Sequence, residues 1–280
     1  MRIKSAFRHE LKYLITHSQR DAIIEALADH TEPDQHSTVV DASTVVDASP
    51  AGIYPAHMGT YTIASLYYDT PNYKAYWDKV EGHRNRRKVR VRVYGDHHVS
   101  TETLCYVEIK QRRNKMMAKR RVALPYATAI DLAAYPTLLT DVAPEDQAIL
   151  CEIAYLQTTL HLQPACVVTY QRLALNGLEP YGDLRVTFDT ELRGRIHDLS
   201  LLSPGTTAGQ SFLPPDFCIM EIKVNQSVPY WLATVINQER CPARRISKYC
   251  MALQQSGAIA QRQRVMTAFQ GKDISTEPVA

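Results

Sequence analysis

RKVRVRVYG, residues 87–95, puts Lys88, Arg90 and Arg92 on one side of an extended chain and Val89, Val91 and Val93 on the other, because successive strand side chains point to opposite faces. The β-branched valines favour a pleated backbone and need a core. Residues 103–111 repeat the design, with Tyr106, Glu108, Lys110 and Arg112 opposed to Cys105, Val107 and Ile109. Residues 84–94 and 103–111 therefore read as two strands joined across Gly95-Asp96-His97-His98, with residues 115–124 as a third strand of an antiparallel meander.

The same two-residue period recurs on both sides of this block. Residues 6–16 carry Glu10 and Lys12 on one face against Leu11, Tyr13 and Ile15. LRVTFD and IMEIKV set Arg185 with Asp189 and Glu221 with Lys223 in the same way, so E-x-K is written three times inside strands. Strands are also expected at 61–69, 165–175, 184–189, 191–197 and 217–225. Helices are expected at 19–30 behind a Ser18 cap, in a turn through Tyr76 and Trp77 with Thr70 as N-cap and Pro71 at the first helical position, as short pieces within 127–160, at 229–238 and at 244–255. Residues 31–60 are Ser/Thr/Asp/Pro-rich, contain STVVDAS twice and read as a surface insertion. The reading is one domain over residues 1–258 and a frayed polar tail over 259–280.

Composition narrows the function classes. The chain has 280 residues, 45% apolar and 22% charged, which is globular and neither disordered nor fibrous. No apolar run approaches the ~20 residues a bilayer span needs, and the first residues lack a signal-peptide apolar region, so a cytoplasmic location is expected. Six cysteines without a CxxC pair fit neither a zinc ribbon nor a disulfide framework. Net charge is +3, yet residues 84–121 hold thirteen Lys or Arg against three acids, leaving 19 basic against 26 acidic residues elsewhere. Such a block implies an anionic partner. His9 falls on the apolar face of its strand and reads as a core histidine. No Ser-His-Asp or Cys-His signature is evident.

Charged strand faces ordinarily point to water. Five strands whose polar faces are mainly Arg and Lys, with an occasional carboxylate, instead suit a barrel with those faces inward, a polar tunnel costly to desolvate without a ligand. A polyanion carrying a divalent cation would satisfy both signs, since Arg and Lys take phosphate oxygens while carboxylates hold Mg²⁺ or Mn²⁺. Nucleic acid is a competing partner but is not expected: stacking aromatics among the basic residues are limited to Tyr94 and Tyr106, and groove carboxylates would repel the backbone.

RHELKY (8–13), SLYYDTPN (65–72), RKVRVRVYG (87–95), VEIKQRRNK (107–115), LRVTFDTEL (184–192), MEIKV (220–224) and RISKY (245–249) resemble, in this order, the VTC domain. That is the catalytic domain of the vacuolar transporter chaperone polyphosphate polymerase, one of the triphosphate tunnel metalloenzymes related to CYTH domains. The resemblance spans residues 6–254 and implies an α+β fold, an eight-stranded antiparallel barrel with peripheral helices. It implies a nucleoside triphosphate such as ATP bound with Mn²⁺ or Mg²⁺, its terminal phosphoryl group passing to polyphosphate. It also implies phosphate ligands at Lys12, Arg90, Arg92, Lys110, Lys119, Arg185, Ser247 and Lys248. Arg90, Arg92, Lys110 and Glu221 would be the catalytic set, and Glu221 with Glu10 or Glu108 the metal ligands. Arg8 stands where the wider superfamily has the first Glu of E-x-E-x-K, a loss the VTC branch shares. A tunnel triphosphatase with water as acceptor, and a polyanion-binding protein without catalysis, remain the alternatives. Regulation or translocation of product would fall to a separate membrane or regulatory protein.

Overall fold

The computed structural model describes residues 9–37, 59–95, 98–114, 116–134, 142–202 and 209–260. Ten strands form a single antiparallel sheet: β1 (His9–Thr16), β2 (Thr31–Pro33), β3 (Tyr61–Asp69), β4 (Asn85–Tyr94), β5 (Leu104–Arg113), β6 (Met116–Pro125), β7 (Gln163–Gly177), β8 (Arg185–Arg195), β9 (Gln210–Ser211) and β10 (Phe217–Val224). Eight of them follow one hydrogen-bonded path, β1-β10-β8-β7-β3-β4-β5-β6, while β2 and β9 pair with β7 and β8. β3 lies mid-path and is buried along its whole length.

The sheet is rolled. β1 and β5 are six strand intervals apart, ~29 Å in a flat sheet at ~4.8 Å per strand, yet Lys110 Nζ of β5 lies 3.1 Å from the Glu10 carboxylate of β1. Among the described residues no backbone pairing joins edge strands β1 and β6. The eight antiparallel strands of the sequence reading are therefore present, but among the described residues they do not close into the expected barrel: β1 meets β5, the neighbour of edge strand β6, through side chains.

Three apolar clusters hold the sheet. Outward residues of β3 to β6, including Leu66, Val89, Val91, Val107, Ile109 and Val122, pack against α3 (Tyr126–Ala134) and α4 (Pro144–Leu160) through Ala129, Leu150, Ile153 and Leu156. Outward residues of β1, β10, β8 and β7 pack against α1 (His17–Leu27) and α5 (Tyr230–Gln238) through Ile23, Leu27, Leu232 and Ile236. The third cluster lies inside the roll: α6 (Lys248–Gln255) sets Tyr249, Cys250 and Leu253 against Tyr67, Cys166, Tyr170 and Ile219. Five of the six cysteines are buried and all six are free.

Several boundaries differ from the sequence reading, each for a local reason. The α1 cap is Thr16, whose hydroxyl accepts from Gln19 N while the Gln19 side chain accepts from Thr16 N, so the helix starts before Ser18. α2 (Lys74–Val80) begins after Thr70-Pro71, because the buried Asp69 carboxylate gathers the backbone N–H groups of Thr70, Ala75 and Tyr76. The two strands expected at 184–189 and 191–197 are one strand, β8 (Arg185–Arg195), bulged where Glu191 takes φ 51°. α6 starts at Lys248, since Ala243 bridges Tyr13 and Arg244 N donates to Lys12 O, which keeps residues 243–244 extended. Residues 31–33 form β2, and Asp34 and Ser37 are buried, so the sheet reaches into the expected insertion; its STVVDAS repeat lies outside the described residues. Ile259 is buried against the α6 cluster, and residues 261–280 lie outside the described residues. His9 is exposed at the start of β1, where the strand has left the core.

Candidate phosphate-binding tunnel

Strand alternation turns one charged face of each of β1, β4, β5, β8 and β10 to the inside of the roll, and register decides which residues meet. Lys12 stands opposite Glu221, Arg90 opposite Glu108, and Lys88 opposite Lys110. β6 settles an ambiguity of the sequence: Lys119 and Arg121 share the inner face with their partners Lys110 and Glu108, while Arg120 turns outward to the Glu152 carboxylate at 2.6 Å.

The first group is Glu10, Lys12, Lys110, Glu221 and Lys223. Lys12 Nζ sits 2.8 Å from Glu10 and 3.2 Å from Glu221, while Lys223 pairs with Glu221. Burial and the neighbouring Glu221 push the Glu10 carboxyl up, but Lys110, Lys12 and Lys223 outweigh them and hold it at about 2. Glu221 is likewise held well below the usual range, against burial, by Lys12, Lys223, Lys248 and Lys110. Both acids are ionised, with two carboxylates facing one another across a lysine.

In the second group Arg90 donates to Glu108 from Nε at 2.6 Å and lies 2.5 Å away through Nη2, with Lys119 on the other Glu108 oxygen. Arg90 Nη1 also donates to Tyr67 Oη at 3.0 Å. Burial opposes ionisation of this phenol, yet Arg90, Arg92 and Lys88 bring it down to about 8. The third group is buried deeper: Arg172 grips Asp189 with both ends of its fork at 2.6 and 2.8 Å, and Lys248 reaches the same carboxylate at 2.5 Å. That contact ties the first turn of α6 to β8.

Among the described residues two inner cations that are sheltered, unlike the exposed Arg121, have no carboxylate partner. Arg92, 6% exposed, donates to Ser65 Oγ at 3.0 Å and Tyr170 Oη at 3.2 Å. Lys88 donates to Ser247 Oγ at 2.9 Å and lies over the Tyr249 ring, and its ammonium is pushed down first by burial. Ser247, expected as a phosphate ligand, is the α6 N-cap and accepts from Cys250 N. Arg185 stands beside Lys223 in the ladder, but its guanidinium is occupied by Asp34 at 2.6 Å and Asn176 at 2.9 Å. Lys88, Tyr67, Tyr170, Arg172 and Lys223 were not assigned roles from the sequence. The Arg172 signal was available as a lone cation in the apolar run VVTYQRLAL.

The donor set suits a hard divalent cation shared with a substrate. Glu10 and Glu221 supply ionised oxygens side by side, and Mg²⁺ or Mn²⁺ commonly takes one or two carboxylates and completes its shell with phosphate oxygens and water. Glu108, the alternative second ligand, lies in the other ion-pair group. Among the described residues no group of three or more His, Cys, Asp or Glu side chains converges, and both Glu108 oxygens are engaged by Arg90 and Lys119.

A family model of the VTC domain matches residues 7–256. The chain belongs to the VTC domain family. Membership makes it one of a family of triphosphate-binding tunnel enzymes. Twenty-four chains of known structure are similar to it. One is a Bacillus halodurans protein described as a "putative adenylate cyclase", 11% identical, covering 82% of this chain and 86% of its own with a TM-score of 0.38. No curated protein matches. No helix among the described residues of this VTC domain is long and apolar enough to cross a membrane.

Proposed function

We propose that this VTC domain is a polyphosphate polymerase, transferring the terminal phosphoryl group of ATP to the end of a polyphosphate chain inside the roll. The observation that carries the reading is the pair of inner cations, Lys88 and Arg92, held among the described residues by neutral hydroxyls and, for Lys88, the Cys250 thiol, with no carboxylate on either. Burying a charge this way is costly unless an anion completes it. A triphosphate offers several oxygens at the spacing of neighbouring strands, and Arg90, Arg92 and Lys88 stand on alternate residues of β4 to receive them.

Lys12, Lys110 and Lys119 would exchange part of their hold on Glu10, Glu221 and Glu108 for phosphate oxygens, and Lys248 would do so at the α6 end. Glu10 and Glu221 would hold a Mg²⁺ or Mn²⁺ ion, which when bound neutralises phosphate charge. In the transfer itself a terminal oxygen of the acceptor chain bonds to the γ-phosphorus and the bond to the bridging oxygen breaks. ADP leaves with that electron pair and the chain grows by one phosphate. The acceptor oxygen is already anionic, so no general base is required, and the residues act by placement and charge compensation.

The test is a product assay: protein with ATP and Mn²⁺ or Mg²⁺, with and without a short polyphosphate primer, resolving ADP, orthophosphate and chain length. Lengthening chains with matching ADP are expected. Orthophosphate without chain growth would move the assignment to a tunnel triphosphatase. No turnover of ATP or tripolyphosphate with either metal would leave a polyanion-binding protein.

A further inference from the structure

A cavity of about 430 Å³ lies at the end of β4, where Arg87, Val89, Gln111 and Arg113, which alternate with the tunnel cations and face outward, meet α2 and the end of α4, with Arg86 reaching its rim from the tunnel face. That volume is in the range of small-molecule sites. Its floor is apolar: Val89, Leu156 and Leu162 are buried, with Leu160 beside them.

Its polar groups are unequally satisfied. Asp69 accepts from three backbone N–H groups and from Tyr249 Oη at 2.6 Å, and Asp78 is paired with Lys74 at 2.7 Å and faces His83 at 3.0 Å. The two outward arginines, Arg87 and Arg113, are not balanced in this way. Arg113 is exposed with no partner among the described residues, and Arg87 comes no closer than 3.7 Å to the Glu152 carboxylate. Arg86 donates to the His83 carbonyl at 2.9 Å and has no carboxylate on it. Surplus guanidinium above a leucine floor is complementary to an anion with an apolar body, because Arg forks match phosphate oxygens while the floor needs covering from water.

We propose that this cavity is a separate binding site for an organic phosphate monoester, its phosphate on Arg87 and Arg113 and its apolar part on Val89, Leu156 and Leu160. A nucleoside monophosphate and an alkyl phosphate share that chemistry, and the two are separated by the probes used. Calorimetric titration of AMP and of dodecyl phosphate, below its micelle concentration, is made on protein first saturated with tripolyphosphate to fill the tunnel. One site is expected for at least one probe, and which probe binds identifies the body the floor accepts. The Arg87→Ala/Arg113→Ala double variant should weaken that binding at least tenfold. Leu160→Trp, which fills the floor, should do the same, and both should leave tripolyphosphate binding and melting temperature at wild-type values. Loss of binding for both probes once tripolyphosphate is present would overturn the proposal, as would affinities unchanged in both variants.

Discussion

Replacing Arg90 and replacing Arg92 should have opposite consequences for stability although both residues face the same tunnel. Arg90 supports Glu108, a carboxylate only 1% exposed, through contacts of 2.6 and 2.5 Å. Burial alone would push Glu108 up, but Arg90, Arg92 and Lys119 bring it from 4.5 to about 2. At ~1.4 kcal/mol per pH unit this corresponds to ~3 kcal/mol of favourable interaction. Arg90→Met leaves that buried charge with Lys119 as its remaining ion-pair partner, and breaking a buried pair from one side costs about 3–5 kcal/mol. For a chain of this size the loss corresponds to a fall in melting temperature on the order of 10 °C. Arg92 has no carboxylate contact among the described residues; burial and Arg90 weigh against its charge, but Tyr170, Tyr94 and Glu108 outweigh them. Arg92→Met removes a buried cation and leaves two hydroxyls, Ser65 and Tyr170, to find other partners, a net change within about 1 kcal/mol. Thermal unfolding by circular dichroism, repeated with saturating tripolyphosphate, measures both quantities. Each variant should lose most of the stabilisation the ligand confers on wild type, while only Arg90→Met melts early without ligand. Equal melting temperatures for the two variants, or full stabilisation of either by tripolyphosphate, would refute the argument.

Other outcomes follow from the same geometry. Glu10→Gln and Glu221→Gln should each raise the Mn²⁺ concentration needed for half-maximal turnover at least tenfold, whereas Glu108→Gln should leave it unchanged; a metal titration of initial rates checks this. The Tyr67 phenol, held at about 8, becomes an anion beside the phosphate site as pH rises, so tripolyphosphate affinity should fall between pH 7 and 9 in wild type and stay flat in Tyr67→Phe. Burial raises Glu10, Glu108 and Asp189, but neighbouring cations hold each at about 2. Their contribution is complete above the ordinary carboxylate range and disappears as pH drops towards 2, so denaturant unfolding should show stability falling from about pH 5 downward. Asp189→Asn should flatten part of that slope.

Which residues face inward was legible from the sequence, because a period of two assigns faces without knowledge of the partner strand. Lys88, Arg90, Arg92, Lys110 and Glu221 all lie on the face their alternation gave. Pairing was not legible, since it depends on strand order. Glu10 meets Lys110 across a hundred residues because the sheet rolls, and nothing local to either strand encodes that encounter. Lys119 was ambiguous among neighbouring cations until the β5–β6 register turned Arg120 outward. Arg172 was overlooked because its strand is otherwise apolar, and an apolar run reads as core whether or not one residue in it serves a site. The start of α6 was misjudged because backbone contacts from residues 243 and 244 to β1 outweigh the helical tendency of the sequence there.

Edge strand β1 is tied across the roll by Glu10 to Lys110 of β5, the strand beside the other edge, and among the described residues no backbone ladder joins β1 to β6. A ring closed by peptide hydrogen bonds admits a linear polymer only by threading a free end. A slit whose clasp is an ion pair admits the middle of a chain as well, whenever phosphate draws the lysine away or a cation draws the glutamate. Processivity and initiation would then be governed by ionic strength at the seam as much as by affinity in the bore.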